Sequence, residues 1–434
     1  MKARGLILAL AVAALAAGTA LLLSGHEDEG SNTVRVPVRL NETLTNEMSD
    51  TVSLAGIDRE VKTFMQYWGL QGLSLSVMRN DSLVYAKGYG WADKEKKVPM
   101  SPGNILRLAS VSKLITATGI MKLEEQGLLT LDDKVFGPDG ILSDEPYASV
   151  IKDPNYSLIT VEHLLRHKAG FTTRAGDPMF TTRTIILQNH LSSPPDHETL
   201  MRIQLKRNLS YVPGDTQYYS NFGYLILSLI IEKVTGTDYE SWIQENVLKP
   251  AGCYDFHIAG NYYSERYGNE VRYYPNSDDT PVEEFNNSGR QVPRCYGGND
   301  VRALSGAGAW VASTPELARF VASIDGKPAV PDIISAQSVA RMTEWFDPDT
   351  YSLGWNDTKP TGEWTRTGTF SGTSALIKYY PDGECWILVT NTSTWRGPGL
   401  ARYSNEMFEK SRAKCSALLP SRDFFYTESE GFPE

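Results

Sequence analysis

Apolar residues at Leu54, Ile57, Val61, Phe64, Met65 and Trp68 recur every three or four positions, which predicts a helix over 53–70 with one buried stripe. The period then changes. Leu73, Leu75 and Val77 alternate with serines, Asn80-Asp81 supplies a turn, and Leu83-Val84-Tyr85-Ala86 follows, so 73–86 reads as a β-hairpin. Ser112 begins a long amphipathic helix that stops at Gly127. The middle of the chain is mainly helical, over 160–167, 198–207, 221–235, 239–247, 315–324 and 336–345. Strands return at 351–355, 364–369, 373–380 and 385–391, and a helix over 400–415 closes the folded region. Strands at both ends with helices between them predict an α+β fold. One antiparallel sheet is drawn from both chain ends and flanked by the terminal helices. A mainly helical lobe is inserted, with a cleft between the two lobes.

The ends read differently. Lys2 and Arg4 precede an apolar run over 6–23, and His26-Glu27-Asp28-Glu29 follows it. That order marks either a cleaved export signal or an uncleaved membrane anchor over 1–25, and both place the remainder outside the cytoplasm. In the anchored case the folded part sits on the outer face of the cytoplasmic membrane, and in the cleaved case it is periplasmic. Residues 26–50 read as a polar linker, 51–415 as the folded domain and 416–434 as a peripheral tail. The composition, 41% hydrophobic and 22% charged, excludes fibrous and disordered classes. A net charge of −10 without a long basic run argues against nucleic acid as a partner. The four cysteines show no zinc spacing, and Cys253 with Cys295 form either a disulfide or two buried thiols.

Acyl transfer by a serine needs a base and donors for the oxyanion. No Gly-x-Ser-x-Gly is present, so lysine is the better candidate base. Ser-x-x-Lys puts both side chains on one helical face, where a partly desolvated amine works near neutral pH. The motif occurs at Ser110–Lys113, Ser149–Lys152 and Ser411–Lys414. Only the first follows an extended segment and opens a long apolar helix. Tyr-x-Asn offers a phenol and an amide for proton transfer. Of its occurrences beginning at Tyr219, Tyr267, Tyr274 and Tyr403, only Tyr219-Ser220-Asn221 stands between a Pro213-Gly214 loop and a strongly apolar helix. Arg366-Thr367-Gly368-Thr369 lies on a strand, where a cation and a glycine can receive a substrate carboxylate and let its backbone approach.

These three motifs, in this order, resemble the serine β-lactamase and penicillin-binding-protein superfamily. Longer phrases place the resemblance in its class C-related branch over about 70–410. They are Tyr85-Ala86-Lys87-Gly88-Tyr89-Gly90-Trp91, Leu108-Ala109-Ser110-Val111-Ser112-Lys113, His163-Leu164-Leu165-Arg166-His167-Lys168-Ala169-Gly170, Tyr219-Ser220-Asn221-Phe222-Gly223-Tyr224 and Tyr351-Ser352-Leu353-Gly354-Trp355. The resemblance implies Ser110 as nucleophile and Lys113 as its base or proton partner. It implies Tyr219 as acid/base, Asn221 as orienter of the acyl side chain, and the backbone N–H groups of Ser110 and Thr369 as oxyanion donors. Arg366, Thr367, Gly368 and Thr369 would bind substrate. Arginine at 366 departs from the family's usual lysine or histidine, keeps a positive charge and disfavours efficient β-lactam turnover. The implied activity is that of an exported serine hydrolase or acyltransferase. It moves an acyl group from an ester, thioester or amide to water or a small alcohol, with no metal or cofactor. A D-Ala-D-Ala carboxypeptidase or β-lactamase is the alternative, and a non-turnover ligand-binding module of the same fold is another. His163 and His167 sit in a structural segment rather than a metal pair. The tyrosine-rich stretch 254–296 is either a surface insertion or a wall beside the cleft.

Overall fold

The computed structural model describes residues 33–276, 279–347 and 350–430. One compact unit spans 37–425. A separate unit contains the pairing of strands Thr33–Pro37 and Tyr426–Glu430. The apolar run over 6–23 lies outside the described residues, and no helix among the described residues is long and apolar enough to cross a membrane.

The predicted amphipathic helix is α1 (Ala55–Trp68), ended by Gly69. Strands β1 (Gly72–Arg79) and β2 (Ser82–Asp93) form the hairpin, with Asn80 and Asp81 both at positive φ, as a tight turn between right-twisted strands requires. A short β3 (Val98–Pro99) follows, then α2 (Ser112–Glu125) and α3 (Asn221–Thr235) in the inserted lobe. The chain returns through β4 (Asp357–Thr358), β5 (Trp364–Phe370), β6 (Thr373–Tyr379) and β7 (Glu384–Thr390) to α4 (Leu400–Cys415). The seven strands form one antiparallel sheet in the order β4-β5-β6-β7-β1-β2-β3. The two chain ends therefore meet where β7 pairs with β1, as the fold class predicted.

Alternation along β1 sorts its side chains to two faces. Leu73, Leu75 and Val77 join Val61 and Phe64 of α1, Trp386 and Leu388 of β7, and Met407 and Phe408 of α4 in one core. The serines do not face water. Ser74 and Ser76 are fully buried, and their hydroxyls bond Thr314 Oγ1 at 2.8 and 2.9 Å, at the start of helix Thr314–Ala322. Both faces of the sheet are thus covered, and the polar positions are satisfied by a hydroxyl cluster rather than solvent.

The structure corrects several expectations. The compact unit is wider than 51–415. Leu40 and Leu44 are buried around a short helix Leu40–Thr43, and at the other end Leu419, Phe424 and Phe425 are buried, with Phe424 N–H bonded to Leu83 O at 2.8 Å. Isolated apolar residues in polar stretches carry no periodic signal, so the linker and tail looked peripheral. Residues 351–355 form a loop, not a strand. Gly354 at φ +84° explains it: a Cβ there would lie 2.8 Å from Ala117 Cβ and 3.1 Å from Leu114 Cα, so the loop is pressed directly onto α2. Helix Thr182–Gln188 and a small sheet of Leu106–Arg107, Trp310–Ala312 and His257–Ile258 were not foreseen. All four cysteines are buried free thiols, so Cys253 and Cys295 are not paired.

Candidate active site

Ser110 lies on a 3-10 turn, Ala109–Val111, that runs directly into α2. Ala109, just before it, takes the left-handed region at φ +48°, a strained position that recurs at functional turns. Three residues on, the Lys113 side chain is completely buried. Its Nζ lies 3.2 Å from Ser110 Oγ and 2.7 Å from Asn221 Oδ1, and it also reaches Ala307 O. No carboxylate forms an ion pair with it among the described residues. Burial, reinforced by the positive charge of Arg366 and only partly opposed by Asp177, holds this amine well below the ordinary lysine range. A neutral amine has two N–H groups and one lone pair. Asn221 and Ala307 take the two hydrogens, which leaves the lone pair facing the Ser110 hydroxyl.

Tyr219 arrives on the loop before α3, whose N-cap is Ser220, its side chain accepting from Gly223 N. The phenol donates to Ser110 Oγ at 2.7 Å. Burial raises its proton affinity, while Arg366 and the bond to Ser110 work the other way, so it stands as a phenol. His167 holds its ring. The two ring centroids are 4.5 Å apart, and His167 Nδ1 accepts from Ser220 N at 3.1 Å, which puts the imidazole proton on Nε2. Burial, with Lys113 and Arg366 nearby, pushes His167 well below the usual histidine range. His163 instead caps its own helix through Thr160, and among the described residues no three His, Cys, Asp or Glu side chains converge as metal ligands would.

The β5 motif approaches from the other side. A Cβ on Gly368 would lie 2.3 Å from Leu108 O and 3.0 Å from Ser110 N, so only glycine lets this strand abut the Ser110 turn. Asn356 N bonds Thr365 O at 2.9 Å, and Thr367 N bonds Asn356 Oδ1 at 2.6 Å. The odd-numbered positions of β5 thus direct their backbone groups away from β6. By the two-residue repeat the Thr369 N–H does so too, on the edge that meets Ser110. Thr367 Oγ1 is held by Asn356 Oδ1 at 3.1 Å.

Arg366 is where geometry departs most from the expectation. Its side chain has no exposed surface. The guanidinium is turned onto the Ser110 backbone, with Nε 2.8 Å from Ser110 O and Nη2 on the same oxygen. A substrate carboxylate has no access to it. Arg366 instead fixes the Ser110 turn and supplies the positive field that depresses Lys113.

Two site features escaped the sequence reading. One is the Ala307 carbonyl, delivered by a turn in which Ser305 takes φ +42°. The other is Asp177. Its Oδ2 accepts from Asn221 Nδ2 at 2.7 Å and its Oδ1 from Met179 N at 3.0 Å. Asn221 is therefore locked between Lys113 and Asp177. The only sequence signal for Asp177 is Gly176-Asp177-Pro178, which by itself says turn. The other Ser-x-x-Lys pairs are structural: Ser149 bonds Glu145 at 2.6 Å, and Ser411 is buried against Met407. Within the tyrosine-rich stretch Tyr273 and Tyr296 are buried, Tyr254 is exposed and the other four tyrosines are partly exposed. Tyr273 and Tyr296 flank the buried Arg107, whose guanidinium carbon sits 4.3 Å above the Tyr273 ring.

Comparison with known proteins places this arrangement. The Beta-lactamase family model matches residues 57–415. PbpX of Bacillus subtilis is 23% identical over 354 residues, covering 81% of this chain and 78% of its own length. Penicillin-binding protein 4* of the same organism is 32% identical over 172 residues, but this match spans only 39% of this chain and 34% of that protein. The fold is shared with D-amino acid amidase from Ochrobactrum anthropi SV3, solved with L-phenylalanine amide, at a TM-score of 0.65 and 18% identity over 85% of this chain and 99% of that one.

Proposed function

The chain belongs to the Beta-lactamase family, and from that premise we propose that it is a serine hydrolase or acyltransferase working through a Ser110 acyl-enzyme. The observation that carries this reading is Ser110 Oγ standing between the Lys113 amine at 3.2 Å and the Tyr219 phenol at 2.7 Å, with every other Lys113 hydrogen already spent. As Ser110 Oγ attacks an ester, thioester or amide carbonyl, its proton passes to the Lys113 lone pair. The backbone N–H groups of Ser110 and Thr369 receive the oxyanion. When the tetrahedral intermediate collapses, the leaving group takes the Tyr219 proton. The new ammonium, 4.9 Å from that ring, balances the phenolate and restores its proton. Water or a small alcohol then releases the acyl group by the same path reversed.

The penicillin-binding relative supports a carboxypeptidase or β-lactamase as the second reading, since it requires the same acyl-enzyme. The basic, apolar, acidic order over 2–29 supports action outside the cytoplasm. Intact mass spectrometry with a panel of esters, thioesters, amides and β-lactams tests the reading. The expected result is one acyl mass on Ser110, absent from a folded Ser110→Ala variant. Labelling of another serine, or none with any donor, overturns it.

A further inference from the structure

The space next to Tyr219 is lined by acids, phenols and neutral polar groups. This open cleft of about 980 Å³ is lined by Asp177, Asp215, Tyr218, Tyr219 and Tyr351, with no lysine or arginine among its lining residues. Neither carboxylate has an ion-pair partner among the described residues. Asp177 is half-buried and stands on Asn221, which in turn bonds Lys113, so its carboxylate is three hydrogen bonds from Ser110 Oγ. Asp177 Oδ1 and Oδ2 each accept a neutral N–H, which orients the group without cancelling its charge. Tyrosine faces add attraction for a cation. Arg366, a cation close to Ser110, is sealed beneath it.

We infer that this cleft selects acyl donors whose acyl part carries a protonated amine close to the reacting carbonyl, with Asp177 receiving the ammonium. The acyl part, rather than the leaving group, is assigned because Asp177 reaches the site through Asn221, the residue expected to orient the acyl side chain. The inference rests on the acyl-enzyme reading above and names its substrate class: aminoacyl amides and esters.

The test compares phenylalanine p-nitroanilide, as both enantiomers, with 3-phenylpropionyl p-nitroanilide, which differs only by lacking the amine. A fluorophosphonate probe reports Ser110 reactivity separately. Wild type should favour one aminoacyl enantiomer ten- to hundred-fold in kcat/KM, the range for a charge-assisted hydrogen bond. Asp177→Asn should bring that ratio near one, whatever loss the two donors share, and Asp177→Glu should restore part of it. In wild type alone, the ratio should fall as pH rises through the substrate's own amine, near pH 8. Lys113 and Tyr219 titrate identically for both donors and cancel. A ratio of one in wild type, a ratio unchanged by pH, or an Asp177→Asn variant that keeps the ratio overturns the inference. A Ser110 that takes the probe yet ignores the cationic donor sinks this inference alone. A Ser110 that takes no probe sinks the acyl-enzyme reading.

Discussion

Two buried lysines make opposite use of one side chain. Lys87 lies on β2 between Tyr85 and Tyr89, on the face that meets α1. Its ammonium is bound by Asp58, at 2.9 and 3.0 Å, and by Asp50, while both tyrosine hydroxyls also donate to Asp58. These carboxylates outweigh desolvation and raise its pKa. Lys113 is buried more deeply, with no exposed surface, and its nitrogen meets only neutral groups: an amide oxygen, a carbonyl oxygen and the Ser110 hydroxyl. Burial, reinforced by Arg366 and only partly opposed by Asp177, lowers its pKa. Burial alone makes neither a strut nor a base. What decides is whether the acceptors around the nitrogen carry charge.

The sharpest break is at Lys113. Lys113→Ala and Tyr219→Phe should each lower kcat about 10²–10⁴-fold, the usual range for a lost proton-transfer group. If the two act as one relay through Ser110, the double variant should fall little below the worse single variant. Losses that simply multiply would mean the two work independently. Removing Lys87 should leave kcat untouched.

A smaller effect tests the field rather than the base. Arg366→Gln removes the charge that depresses Lys113, so its pKa should rise. The active form is the neutral amine, lost as pH falls through that pKa, so the acidic limb of kcat/KM should move to higher pH. At neutral pH the loss should be about ten- to hundred-fold, corresponding to one charge-assisted interaction. Arg366→Lys should recover part of the rate and most of the profile. Anionic and neutral donors should be slowed alike, because no donor touches Arg366.

These expectations also mark what the sequence made legible. Ser110, Lys113, Tyr219 and Asn221 were readable because each motif is short and sits at the start of a helix, where spacing fixes which side chains share a face. The large sheet was readable because β1, β2, β5, β6 and β7 are long enough to show a period. Arg366 was readable as a cation on a strand beside the nucleophile. Alternation gives a strand's two faces but not which one a neighbouring turn will seal, so its burial was not. Asp177 and the Ala307 carbonyl come from irregular segments whose placement depends on contacts remote in sequence. Lys87 passed as one polar residue in a matching phrase, since its partner Asp58 lies on α1 and its partner Asp50 just after the turn Asn46–Ser49.

Breaking the strut should cost stability and not chemistry. Asp58→Asn leaves Lys87 with the half-exposed Asp50 alone, and should destabilise by about 1–3 kcal/mol, discounted for solvent access. The folded-state pKa of Asp58 is lowered. Its contribution is therefore present above the unfolded carboxylate value near 4 and fades as pH falls through the folded value. Lys87 is raised, so its contribution holds below the unfolded lysine value and fades as pH climbs through the folded one. Denaturation midpoints against pH should show the acid loss in wild type and a flatter acid arm in Asp58→Asn.

The smallest expected effect extends the comparison to acids. Asp81, in the β1–β2 turn, and Asp325 are buried side by side, and Tyr379 donates to Asp325 at 2.9 Å. Burial comes first for both; the Asp81 carboxylate then disfavours the charge on Asp325, while the bond from Asp325 favours that of Asp81, so Asp325 is held protonated well above the ordinary range, as Lys113 is held neutral below its own. The sign is the reverse of Asp58. Between the unfolded value near 4 and the raised folded value, the folded chain binds more protons than the unfolded one. Stability from this pair is thus full at mildly acidic pH and lost as pH rises toward and through the folded value. Asn at 325 resembles the protonated acid: one oxygen still accepts from Tyr379, and an N–H can face Asp81. Asp325→Asn should therefore match wild type within about 0.5 kcal/mol at mildly acidic pH, and should lose less stability than wild type as the pH is raised. Melting curves for both proteins from pH 4.5 to 8.5 measure the two slopes. Parallel slopes would mean that the two carboxylates separate or are hydrated in solution, and that burial governs Lys113 but not this pair.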